Sequence, residues 1–121
     1  MTTSSIQRFS TNSRMSKAVV ANGMVFLSGQ TSSGTNLQTI EAQTEEALRR
    51  VDMHLAEVGS SKGRLLSATV YLRDIADFQR MNQVWEAWLA PGLAPARTTV
   101  EAKLASPHLC VEFSIVALMH G

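Results

Sequence analysis

Hydrophobic positions along this chain switch between a two-residue and a three-to-four-residue period, and the switches predict the order of its elements. After a polar segment with scattered hydrophobes (1–16), Ala18 to Ala21 and Met24 to Gly29 form short apolar runs joined through Asn22-Gly23. An Asn-Gly pair in that position is the strongest short hairpin signal, because both residues accept positive φ. Thr31 to Asn36 is turn chemistry. Beyond it Ile40, Thr44, Ala47, Leu48, Val51, Leu55 and Val58 recur at helical spacing, which predicts an amphipathic helix. Thr35 and Gln38 have the spacing of a capping box at its start, and Gly59 stands where a helix C-terminus favours a left-handed residue.

Arg64 to Leu72 predicts a strand with Leu66, Ala68, Val70 and Leu72 on one side and Leu65, Ser67, Thr69 and Tyr71 on the other. Asp74 is suited to cap a second helix, whose Phe78, Met81, Trp85 and Trp88 share one buried stripe before Pro91, Gly92 and Pro95 end it. Arg97 to Lys103 and Leu109 to Leu118 then predict two strands, for a β-β-α-β-α-β-β order without internal repeat. Helices alternating with strands in so short a chain cover only one sheet face. In the last strand Leu109, Val111, Phe113, Ile115 and Ala117 form an apolar row, while Cys110, Glu112, Ser114, Val116 and Leu118 form a mixed one. A mixed row suits a semi-buried subunit interface, and clefts between subunits suit small-molecule sites.

Composition narrows the classes of function. The 121 residues, 45% of them hydrophobic, make one domain spanning 1–121. Eleven Lys+Arg against ten Asp+Glu give a net charge of +1 with no run of like charge, so no nucleic-acid footprint is present and a nuclease is disfavoured. The single cysteine, a Ser/Thr-rich Met1 to Phe9 without an apolar run, and the lack of any stretch near the ~20 residues of a membrane span leave the cytoplasm as the expected compartment, with no membrane partner.

Candidate chemistry is sparse. His54, His108 and His120 stand singly, without the second ligand a metal site needs, and no hydrolase elbow, P-loop or dinucleotide fingerprint occurs. Neither metal nor cofactor is expected. Cys110 fits an inert strand thiol better than a nucleophile. Arg97 follows a rigid Pro91–Pro95 segment and opens a strand that also carries Thr99, Glu101 and Lys103 on alternate positions. Its guanidinium suits either a bidentate grip on a carboxylate or a surface or interface ion pair. Glu112, the only carboxylate of the last strand, needs a partner, such as Lys103 on a neighbouring strand, or a task. Ser28-Gly29 is either a bend offering a hydroxyl and close backbone approach or a plain strand end.

The segments Arg14–Gln30, Leu65–Asp74, Met81-Asn-Gln-Val-Trp-Glu-Ala-Trp88, Pro95-Ala-Arg-Thr-Thr-Val-Glu101 and Val111-Glu-Phe-Ser-Ile-Val-Ala117 together resemble the YjgF/RidA (reactive imine deaminase, RutC-like) family, over about Arg14 to Leu118. The resemblance implies an α+β, chorismate-mutase-like fold of the bacillar type, a mixed sheet with two helices on one face. It also implies a homotrimer with ligand sites between subunits. The implied activity is cofactor-independent hydrolysis of small 2-imino or enamine acids, of the 2-aminoacrylate and 2-iminobutanoate type, to 2-oxo acids and ammonia. Carried over position by position, Arg97 matches the carboxylate-binding arginine, Glu112 the glutamate that positions water, and Ser28-Gly29 the pocket wall, with Thr98 and Thr99 flanking the imine nitrogen. Met15 stands where many members have a tyrosine, and Thr99 where several have a cysteine. The altered pocket keeps a second class of function open, a trimeric module that binds small carboxylates or protein partners without turnover.

Overall fold

The structure, a computed structural model, describes residues 5–121; the first four residues of the Ser/Thr-rich amino-terminal segment lie outside the described residues. In chain order the elements are β1 (Gln7–Phe9), β2 (Ala18–Ala21), β3 (Met24–Leu27), α1 (Ile40–Glu57), β4 (Leu65–Leu72), α2 (Phe78–Trp88), β5 (Ala96–Glu101) and β6 (Val111–Leu118). One six-stranded sheet runs β1-β2-β3-β6-β4-β5. The β4–β5 pair is parallel and the other pairs are antiparallel, so the sheet is mixed. The expected order is present with one addition: β1 is a three-residue strand on β2, too short to leave a periodic signal.

Local chemistry explains where the elements begin and end. Asn22 and Gly23 both take positive φ, 53° and 75°, and close the β2–β3 hairpin. The expected capping box is not the start of α1. Thr35 instead donates to the Ser32 carbonyl at 2.7 Å and shapes the preceding loop, while Thr39 Oγ1 accepts from the Ala42 amide at 3.1 Å and caps the helix. At the far end Gly59 adopts φ 80°. The Ser60 amide returns to the Leu55 carbonyl and the Gly59 amide to the Ala56 carbonyl, the paired bonds of a Schellman cap. Asp74 caps a single 3-10 turn (Ile75–Asp77) that leads into α2, rather than α2 itself. The last two strands are shorter than expected: β5 ends at Glu101, and β6 begins at Val111 because the Cys110 amide donates to the Gln43 side chain.

Both helices lie on one sheet face. The rows Val111, Phe113, Ile115, Ala117 and Ala68, Val70, Leu72 are buried beneath them, and Trp85 stacks on Phe113 with ring planes 2° apart. Trp88 is half-buried and donates its indole N–H to Asp52 on α1. One strand assignment is overturned: the β4 register shifts between Leu65 and Ser67, so Leu65 turns inward and Leu66 is left exposed. An irregularity of this kind exchanges the faces of the residues before it. Among the described residues no helix covers the opposite sheet face, where Glu112, Ser114, Val116 and Leu118 are half-buried and Phe26 is 42% exposed. This is the chorismate-mutase-like α+β architecture. Among the described residues no helix is long and apolar enough to cross a membrane.

Candidate functional site

Residues singled out in the sequence fall into two groups on opposite faces of the sheet. Because β5 pairs with β4 as Ala68↔Arg97 and Val70↔Thr99, Arg97 and Thr99 share the helix-covered face with the buried Ala68 and Val70. Thr98 pairs with Thr69 and points the other way, onto the face that carries Glu112. Within one chain, therefore, Arg97 and Glu112 do not meet.

The first group is built where the edge strand β5 emerges beside α2. The Arg97 guanidinium carbon lies 5.6 Å from the Phe78 ring centroid and 5.5 Å from that of Trp85, a cation–π arrangement that fixes its direction. Around it Asn82, Trp85, Glu86, Leu89, Ala94 and Pro95 complete a cleft of about 300 Å³. Burial lowers the Arg97 pKa below its ordinary value, and the charge of Glu86 partly opposes that shift. Among the described residues no carboxylate forms an ion pair with Arg97. Two further polar atoms are buried without a hydrogen-bond partner here, Asn82 Oδ1 in the wall of the cleft and Thr99 Oγ1 two residues beyond Arg97. Buried polar atoms are usually paired. An unpaired cation, a free acceptor and a free hydroxyl in one neighbourhood suit a ligand that carries both an acid group and an N–H or O–H.

The second group surrounds Glu112. The β3–β6 ladder pairs Phe26 with Val116, and a separate bridge pairs Gln30 with Phe113. Four steps along one segment thus match three along the other, a bulge that carries Ser28 and Gly29. The Glu112 carboxylate packs directly on Gly29: a β-carbon built on that glycine would collide with Glu112 Oε2 and lie 2.8 Å from its carboxyl carbon. Bulges often re-aim groups next to functional sites. Gly29, Glu112, Tyr71, Ser114 and the Ala102–Ala105 segment, Lys103 included, line a cleft of about 340 Å³. Lys103 is not on a strand next to Glu112, since β4 lies between β5 and β6, and among the described residues the two form no ion pair. The Ser28 amide donates to the Lys17 carbonyl and its hydroxyl accepts from Gln30 at 3.2 Å. Met15, 39% exposed, lies in the β1–β2 connection near the same end of the sheet.

Asn82 and Tyr71 were not legible as site residues. Asn82 sits in a helix whose pattern is dominated by its tryptophans, and Tyr71 reads as one position of an alternating strand; the cue to Tyr71 would have been a cross-strand register that only the fold supplies. Cys110 is half-buried, and its thiol is pushed up mainly by that burial. Among the described residues no cluster of three or more His, Cys, Asp or Glu could hold a metal ion.

Comparison with known proteins agrees with the fold. The profile of the family described as Endoribonuclease L-PSP matches residues 5–119. A RutC family protein of Haemophilus influenzae is 39% identical over 112 residues, covering 93% of this chain and 97% of that protein. The crystal structure of a YjgF family member from Neisseria meningitidis superposes with a TM-score of 0.93 at 46% identity, covering 97% of both chains. A chloroplastic Arabidopsis thaliana protein named Reactive Intermediate Deaminase A is 28% identical over 110 residues, which are 86% of this chain and 58% of that protein. With a family profile spanning nearly the whole chain and relatives of this similarity, the protein belongs to the YjgF/RidA (RutC) family.

Proposed function

We propose that this protein hydrolyses small reactive 2-imino or enamine acids, of the 2-aminoacrylate and 2-iminobutanoate type, to 2-oxo acids and ammonia, in sites formed between the subunits of a homotrimer. The observation that carries the proposal is Arg97: a guanidinium fixed over two aromatic rings, without a carboxylate partner, in a cleft of about 300 Å³. A substrate carboxylate accepts two parallel hydrogen bonds from such a group, each worth roughly 1.5 to 3 kcal/mol when water is excluded. Glu112 lies on the other sheet face, so the two groups act on one molecule only when Arg97 of one protomer approaches the Glu112 cleft of the next. The uncovered apolar positions Phe26, Val116 and Leu118 favour such an association.

The chemistry asks little more. A protonated imine carbon is already electrophilic. Water held by Glu112 adds to it while the carboxylate takes one water proton; that proton passes to nitrogen, and as the C–N bond breaks the carboxylate takes the remaining hydroxyl proton, so that ammonia leaves and the 2-oxo acid remains. Backbone at Thr98 and Thr99 and the Ser28-Gly29 wall border the reacting end, with Met15 at its margin. Charge gives no support to RNA cleavage, with 11 basic against 10 acidic residues. Ammonia release from enzymatically generated 2-iminobutanoate, compared between wild type and Arg97→Ala, tests the proposal: the variant is expected to lose the acceleration, and activity equal to wild type would remove it. Saturable binding of 2-oxo acids with no acceleration by the wild type would assign the protein instead to a non-catalytic binding role.

A further inference from the structure

Tyr71 is the cross-strand partner of Glu112. The β4–β6 ladder pairs the two directly, while Val70↔Phe113 and Leu72↔Val111 on either side turn into the core. Side chains opposed in this way start about 5 Å apart at Cβ and point in one direction. The Glu112 carboxylate, however, leans away from β4 and rests on Gly29, beyond the end of β3 on the other side of β6. Phenol and carboxylate therefore border the same cleft of about 340 Å³ from different sides. Among the described residues the Tyr71 hydroxyl makes no hydrogen bond, as donor or acceptor, although a half-buried tyrosine ordinarily gives its hydroxyl a partner. Packing alone would be served equally by phenylalanine.

We propose that Tyr71 is a positioning residue of this site, holding jointly with Glu112 the water that attacks the substrate; the inference rests on the deaminase reading above. A water between them has two hydrogens to place. The ionised carboxylate, an acceptor only, takes one and the phenol oxygen takes the other, which leaves a lone pair fixed toward the imine carbon. Glu112 then accepts the proton as the C–O bond forms, and the phenol neither gains nor loses one. Lys103, the other charged group at this cleft, is not required for that arrangement.

The test is Tyr71→Phe, measured by steady-state ammonia release over a range of 2-iminobutanoate concentrations beside thermal unfolding and sizing. Loss of one orienting hydrogen bond is expected to lower kcat about tenfold, with KM within about twofold of wild type and unfolding and assembly unchanged. A kcat equal to wild type, or a rise in KM alone, overturns the inference while leaving the deaminase proposal in place. Loss of stability in parallel with activity also overturns it, since the hydroxyl would then be structural. A wild-type protein that does not accelerate release at all removes the deaminase proposal, and this inference with it.

Discussion

The two faces of strand β6 carry opposite kinds of information. On the face beneath the helices Val111, Phe113, Ile115 and Ala117 are at most 1% exposed and make a continuous apolar layer with β4. On the other face Glu112, Ser114, Val116 and Leu118 are only half-buried, and Glu112 is turned onto a glycine across a bulge. Apolar burial sets the stability of the first face. The second keeps a carboxylate and a serine hydroxyl, with the Tyr71 phenol of β4 beside them, that a stability-only design would replace. Chemistry has been left where packing is least complete.

That contrast can be broken most severely from the covered side. Phe113→Ala removes the ring stacked on Trp85 and is expected to cost about 3–5 kcal/mol in chemical denaturation; a cost below about 1 kcal/mol would mean that this face is not the core. Gly29→Ala acts on the open side and should do the reverse. Its new methyl takes the place of the Glu112 carboxylate, which swings aside at little cost, so activity on 2-iminobutanoate is expected to fall about a hundredfold while the unfolding midpoint barely moves. Unchanged turnover would dissociate Glu112 from the reaction. Phe26→Ser, on the same open face, is expected to change the stability of the isolated chain by no more than about 0.5 kcal/mol but to shift sedimentation toward smaller species. Sedimentation identical to wild type would remove this face as the interface.

The smallest expected effect lies outside both faces. Arg49 and Arg50 hold the Glu46 carboxyl down to about 2 from an ordinary 4.5, chiefly through the Arg49 hydrogen bonds. Because the folded pKa is the lower one, this stabilisation is complete above about pH 4.5 and is lost as pH falls toward 2. Glu46→Gln should therefore lower the unfolding midpoint slightly at pH 7 and leave it unchanged near pH 2. An equal loss at both values would contradict the ion-pair origin.

Periodicity made most of the covered face legible: the α1 stripe, the tryptophan-bearing α2 and the inner row of β6 are where the pattern places them. It failed where a single residue reverses the count. Leu66 shares its alternation with Ala68 and Val70, yet an irregular register at Leu65/Ser67 turns it outward, and nothing in Leu-Leu-Ser signals that. Thr35 and Thr39 offer the same hydroxyl to a helix start; the closure of the loop onto Ser32 favours Thr39. At the candidate site Arg97 and Glu112 were legible as residue types, but their placement on opposite faces follows from pairing with β4, a strand neither belongs to. The same register aligns Tyr71 with Glu112.

If Arg97 and Glu112 serve one site from different protomers, two separately inactive variants should repair each other. Arg97→Ala and Glu112→Gln, unfolded together and refolded as a mixture, would form assemblies in which some junctions join an intact arginine to an intact glutamate. Recovery of a substantial fraction of wild-type ammonia release on mixing, absent when each variant is refolded alone, is the predicted result. A co-refolded mixture shown to contain both variants in one assembly, yet as inactive as its components, would contradict a site shared between protomers.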